Sequence, residues 1–96
     1  MEHNGKRIVI LDEDIPENLK GVIGGITVEC PNEYRIAIDR SKAPIVQRFI
    51  IGHELAHIFL NHFEGSSGYV SGMLRDESCE REANRNAWKY DRAYKQ

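Results

Sequence analysis

The chain has few of the residues that mark a specialised scaffold: two cysteines, three prolines and one tryptophan in 96 positions. Two cysteines, Cys30 and Cys79, exclude a disulfide-stapled fold and read as free thiols in a reducing compartment. A formal net charge of −2 gives no general attraction to nucleic acid. No window is long and apolar enough for a membrane span, and Met1 to Arg7 is polar without the apolar core of a secretory leader. A cytoplasmic protein with no membrane contact is therefore expected. No internal repeat or low-complexity tract appears. Ninety-six residues make a single domain, residues 1–96, near the small end of what one hydrophobic core supports unaided. A bound metal tying two elements together would add directly to folding stability.

Against this sparse background one segment stands out: His53-Glu54-Leu55-Ala56-His57, an H-E-x-x-H pattern. Residues four apart lie one turn apart on the same helix face, so both imidazoles can reach one ion. Glu54 beside them is placed to act as general base on a water at that ion. The alternative is a pair of core histidines satisfied by backbone carbonyls. A helix from Ile45 to Phe63 is predicted, with Ser41 as N-cap and Pro44 in the first turn. Apolar residues on most of its faces, including Ile45, Val46, Phe49, Ile50, Ala56 and Phe59, predict a helix buried in the middle of the domain. Gly52 inside it predicts close approach of a neighbouring element.

From Asp76 onward the chain again reads as helix. One face carries Glu80, Ala83, Asn84, Ala87 and Trp88, and the opposite face Arg81, Glu82, Arg85, Lys89 and Arg92. The small and apolar face packs inward, so Glu80 is directed at the histidines as third ligand. Glu82, about 200° round the wheel, points to water. Asn84, one turn after Glu80, is placed to hydrogen-bond a ligating histidine or the carboxylate. Glu80 as a first-turn carboxylate favoured by the helix dipole is the alternative reading. Cys79 lies about 100° from the Glu80 direction and ranks below it as a ligand. The basic residues of this helix, offset by Glu82 and Asp91, read as a solvated face.

Ahead of the first helix the chain reads as sheet. Lys6 to Leu11 is an Ile- and Val-rich strand, and Asp12 to Asn18 an acidic turn region. Gly21 to Cys30 is β-branched and interrupted by glycine; Tyr34 to Asp39 alternates as a half-buried strand, with a hairpin joining Cys30 to Tyr34. Gly24 and Gly25 suggest a bulge or a backbone exposed for close approach. The fold class is thus α+β: a small antiparallel or mixed sheet of about three strands, packed on a buried H-E-x-x-H helix and a C-terminal helix. Glu64 to Gly72, rich in glycine and serine, is either a lid or a plain connector. Tyr69 or Tyr90 is the candidate to stabilise an oxyanion. His62, about 140° round from His57, should not share its metal.

Ile51-Gly52-His53-Glu54-Leu55-Ala56-His57, followed by Glu80-x-Glu82-Ala83-Asn84, resembles the ImmA/IrrE family of metallopeptidases. The resemblance covers about Arg35 to Trp88 and implies a minimal zincin-like core. It implies zinc held by His53, His57 and Glu80, Glu54 as the catalytic carboxylate, and an extended substrate on an edge strand. It further implies a protein partner, a helix-turn-helix transcriptional repressor of mobile-element or stress genes, which the peptidase cleaves or inactivates. After Ala83-Asn84 the family usually carries Phe-Ala-x-x-Leu-Leu-x-Pro, where this chain has Arg85-Asn86-Ala87-Trp88-Lys89-Tyr90. That departure favours the alternative of a non-catalytic, zinc-containing docking module. A purely structural zinc domain is the third reading.

Overall fold

In the computed structural model, residues 1–60 and 77–95 are described, with side chains described as far as residue 60 and over 80–92. The strands are β1 (Glu2–His3), β2 (Lys6–Asp14), β3 (Gly25–Glu29) and β4 (Glu33–Ile38); the helices are α1 (Pro44–Phe59) and α2 (Glu77–Lys95). The four strands form one mixed sheet in the order β1-β2-β4-β3. The α+β architecture is the one read from the sequence, with one more strand. The extra strand is β1, folded antiparallel onto β2 with Glu2 opposite Arg7. Its turn is Asn4-Gly5, both at positive φ (54° and 76°), which is the pairing a two-residue type I′ hairpin requires.

β4 lies between its neighbours, parallel to β2 and antiparallel to β3. The Cys30–Tyr34 hairpin forms as expected, closed by the Cys30 N–H donating to the Glu33 carbonyl at 2.8 Å. Tyr34, Ile36 and Ile38 point inward at 4, 0 and 0 % exposure, fulfilling the alternation. The acidic stretch after Leu11 is corrected: Asp12 to Asp14 continue β2 instead of turning. The ladder slips there, with Ile10 opposite Ile36 but Asp14 opposite Ile38. The irregularity is held open by polar groups, since the Arg40 guanidinium donates to the Leu11 carbonyl at 2.6 Å. Asp14 Oδ1 accepts the Ile15 and Arg40 amides, each at 2.9 Å.

These contacts give a testable pH dependence. The Arg40 amide and the Lys20 ammonium hold the Asp14 carboxyl below its ordinary value of 3.8. The Ser41 hydroxyl and amide do the same for Asp39. Both groups bind protons more weakly folded than unfolded, so their stabilisation is full above about pH 4 and is lost as pH falls through the folded values. Urea unfolding of the zinc-free protein is expected to show a midpoint that falls on acidification below about pH 4. Asp14→Asn should flatten that slope; an unchanged slope would contradict the assignment.

α1 packs on β3 and β4 with one side and on α2 with another, and so sits between the sheet and the last helix. Its second half is buried, from Ile51 to Ile58 apart from His53. Its first two turns are not: Ile45 and Val46 are 56 and 39 % exposed, which corrects the expectation of burial throughout. The hydrophobic core meets the helix only from Ile50 and Ile51 onward. Ser41 is not the cap either. Ala43 holds that position without a side-chain bond, Pro44 follows at the first helical position, and the Ser41 hydroxyl donates to Asp39 instead. α1 ends at Phe59; Phe63 lies outside the described residues. The core joins Tyr34, Ile36, Ile38, Ile51, Leu55 and Ile58, with Ile8, Ile10, Ile50, Phe59 and Tyr90 packed against it.

The α1–α2 contact is close because both helices are small where they meet. Ala83 and Ala87 are fully buried, and a Cβ on Gly52 would lie 1.9 Å from the Ala87 carbonyl oxygen. The close approach expected at Gly52 is therefore made by α2. Asp91, counted from the sequence among the solvated charges, is fully buried and accepts from Arg48 at 2.9 Å. It lies one turn beyond Ala87 on the inward stripe, where helical geometry places it. Trp88 is turned outward instead, at 41 % exposure, with its ring edge-on to Phe49 at 5.6 Å.

Candidate metal centre

The buried half of α1 brings His53 and His57 onto one face, rings edge-to-face at 4.8 Å and Nε2 atoms 3.1 Å apart. α2, drawn in by Ala83 and Ala87, sets Glu80 across from them. Its Oε1 lies 3.0 Å from His53 Nε2 and its Oε2 2.7 Å from His57 Nε2. The side chains of His57, His53 and Glu80 are 1, 12 and 19 % exposed, so the cluster is closed below and open on one side. Glu82 is exposed.

Asn84 Oδ1 lies 2.8 Å from His53 Nδ1. That contact assigns the proton to Nδ1 and leaves the Nε2 lone pair facing the cluster. Two imidazole nitrogens and a carboxylate, with ligand atoms all within 4.8 Å of one another, form a donor set of the type that holds a divalent ion. Their closest separations of 2.7–3.1 Å compare with about 3.3 Å between ligand atoms on one tetrahedral zinc ion. A small outward movement of the three side chains would accommodate such an ion.

A cavity of about 210 Å³ opens beside the cluster, lined by Gly24, Gly25, Phe49, Ile50, His53, Glu54, Glu80 and Asn84. The glycine pair serves close approach, as one of the two sequence readings had it: a Cβ on Gly25 would lie 2.6 Å from Ile50 Cγ2. β3 is the sheet edge at this cavity. Glu54 is 2 % exposed, and its Oε1 accepts the Thr27 hydroxyl of β3 at 2.7 Å. Sequence reasoning missed Thr27. The available signal was a hydroxyl residue at an inward position of an Ile- and Val-rich strand, where valine would fill the same space.

Tyr90 is stacked on Phe59, ring centroids 5.2 Å apart, and is absent from the cavity lining. His62, Tyr69 and the Glu64–Gly72 segment lie outside the described residues, as does the side chain of Cys79.

A mixed sheet backing a helix with His53 and His57 one turn apart, met by a carboxylate from a second helix, defines a metallopeptidase-like domain. The family model of the IrrE N-terminal-like domain, Peptidase_M78, matches residues 7–91, and the chain belongs to that family. No curated protein and no solved structure gives a significant match. Among the described residues no helix is long and apolar enough to cross a membrane.

Proposed function

We propose that the protein is a zinc-dependent endopeptidase in which His53, His57 and Glu80 hold the metal and Glu54 is the general base. Its substrate is a cytosolic regulatory protein of the helix-turn-helix repressor class, the partner that the ImmA/IrrE resemblance implies. The convergence of three metal-type donors, two of which, His53 and Glu80, line one cavity with the buried carboxylate of Glu54, carries this reading.

Zinc bound there supplies Lewis acidity, bringing the pKa of water towards neutrality and polarising the scissile carbonyl. The chain's own residues do the rest. Glu54 takes the proton of the attacking water and returns it to the leaving amine. Asn84 keeps the His53 ring in the tautomer and orientation that offers Nε2. β3, the edge beside the cavity, presents backbone groups to an extended polypeptide.

The test is metal content with paired variants. Wild type is expected to carry about one zinc per chain, and bound zinc should raise the unfolding midpoint. Glu80→Ala should lose zinc affinity by at least about tenfold, whereas Glu82→Ala should bind as wild type. Equal loss in both would defeat the ligand assignment. A docking module without catalysis is the second reading, favoured by the exposed Trp88 within the sequence that replaces the usual family ending. It predicts that Glu54→Gln still inactivates the partner.

A further inference from the structure

We infer that Thr27 is a positioning residue for Glu54, an inference that rests on the general-base reading above. Thr27 and Gly25 stand two residues apart on the same inward face of β3, and both meet the Glu54 side chain. A Cβ on Gly25 would lie in ordinary contact with Glu54 Cγ, at 3.5 Å, so Gly25 borders the Glu54 side chain. Thr27, fully buried, donates its hydroxyl to Oε1 at 2.7 Å.

Pairing fixes this seat from behind. Gly25 is opposite Ile38 and Thr27 opposite Ile36 in the β3–β4 ladder, and both isoleucines are at 0 % exposure. The strand cannot slide by one residue without turning that row outward. A threonine hydroxyl in such a row costs free energy unless it is bonded. A buried carboxylate gains most from a donor that is already in place. One contact meets both requirements and holds the carboxylate that lines the cavity in a single rotamer. Proton transfer from an attacking water depends on that fixed placement.

The decisive comparison is Thr27→Val, which keeps the shape and removes the hydroxyl, against Thr27→Ser, which keeps the hydroxyl. Kinetics use the zinc-loaded protein and the best-cleaved member of a randomised decapeptide library, with new termini read by mass spectrometry. Thr27→Val is expected to lower kcat about tenfold with KM nearly unchanged, while Thr27→Ser stays within about threefold of wild type. Zinc content should remain at about one per chain in both.

A second readout needs no turnover. In urea unfolding of zinc-free protein, Thr27→Val should lower the midpoint in the wild-type background but raise it in a Glu54→Leu background, where the buried hydroxyl has lost its acceptor. Equal midpoint shifts in the two backgrounds would show that Thr27 only packs, and would overturn the inference whether or not a peptide is cleaved. A wild-type kcat in Thr27→Val beside an inactive Glu54→Gln overturns it too, leaving the general base intact. Full turnover in Glu54→Gln removes the general-base reading itself.

Discussion

Glu54→Gln is expected to abolish most turnover while leaving the metal in place. The exchange removes the proton acceptor but keeps side-chain length and an oxygen that can accept the Thr27 hydroxyl, now bonded at 2.7 Å. His53, His57 and Glu80, which bring their ligand atoms together without Glu54, are untouched. Loss of a positioned general base typically costs about 10²–10⁴ in rate. The measurement is kcat on a cleaved peptide beside zinc stoichiometry of the same preparation. Wild-type turnover in the variant would remove Glu54 from the mechanism. Loss of zinc together with turnover would mean that Glu54 supports the site rather than the chemistry.

Gly52→Ala should produce the largest structural effect of a methyl group added at any glycine among the described residues. In an isolated helix the change would favour folding by about 1 kcal/mol. Here the new Cβ would sit 1.9 Å from the Ala87 carbonyl oxygen, 2.8 Å from its carbon and 3.1 Å from Asp91 Cβ. Two of those atoms are backbone, so no side-chain rotation relieves the overlap and the helices must part. Overpacking of this kind costs about 1–3 kcal/mol and sometimes more, which outweighs the propensity gain. Glu80 rides on α2 while His53 and His57 ride on α1, so separating the helices also pulls the third donor from the other two. Urea unfolding of the zinc-free protein should show a lower midpoint, and a zinc titration should show weaker binding. A midpoint equal to or above wild type would mean that the helices are not in contact at Gly52.

What could be read without coordinates depended on local period and short spacing. His53 and His57 share a face because 3.6 residues make a turn, and Glu80 and Glu82 differ in direction for the same reason. The inward row Tyr34, Ile36 and Ile38 follows from the two-residue period of a strand. Those relations are set within a single element, so neighbours in sequence carry them. Asn4-Gly5 was equally local, and its positive-φ turn could have announced β1.

Other features depend on which elements meet, and no local pattern encodes that. Ile45 and Val46 stay exposed because the core meets α1 only from Ile50 onward. Asp91 is buried because α2 settles where Arg48 can reach its carboxylate at 2.9 Å. The parallel pairing of β2 with β4 joins segments more than twenty residues apart, and its slip at Asp14 is stabilised by the side chain and amide of Arg40. Thr27 and Glu54 are separated by 27 positions and by two changes of element. By itself the sequence determined the H-E-x-x-H face, the inward carboxylate of α2 and the α+β class, since periodicity fixes direction within an element. Only the tertiary structure decided that Glu54 receives a hydroxyl from β3 and that Asn84 holds His53. Those contacts exist because packing of Gly52 against Ala87, and of β3 beside α1, brings distant residues within bonding distance.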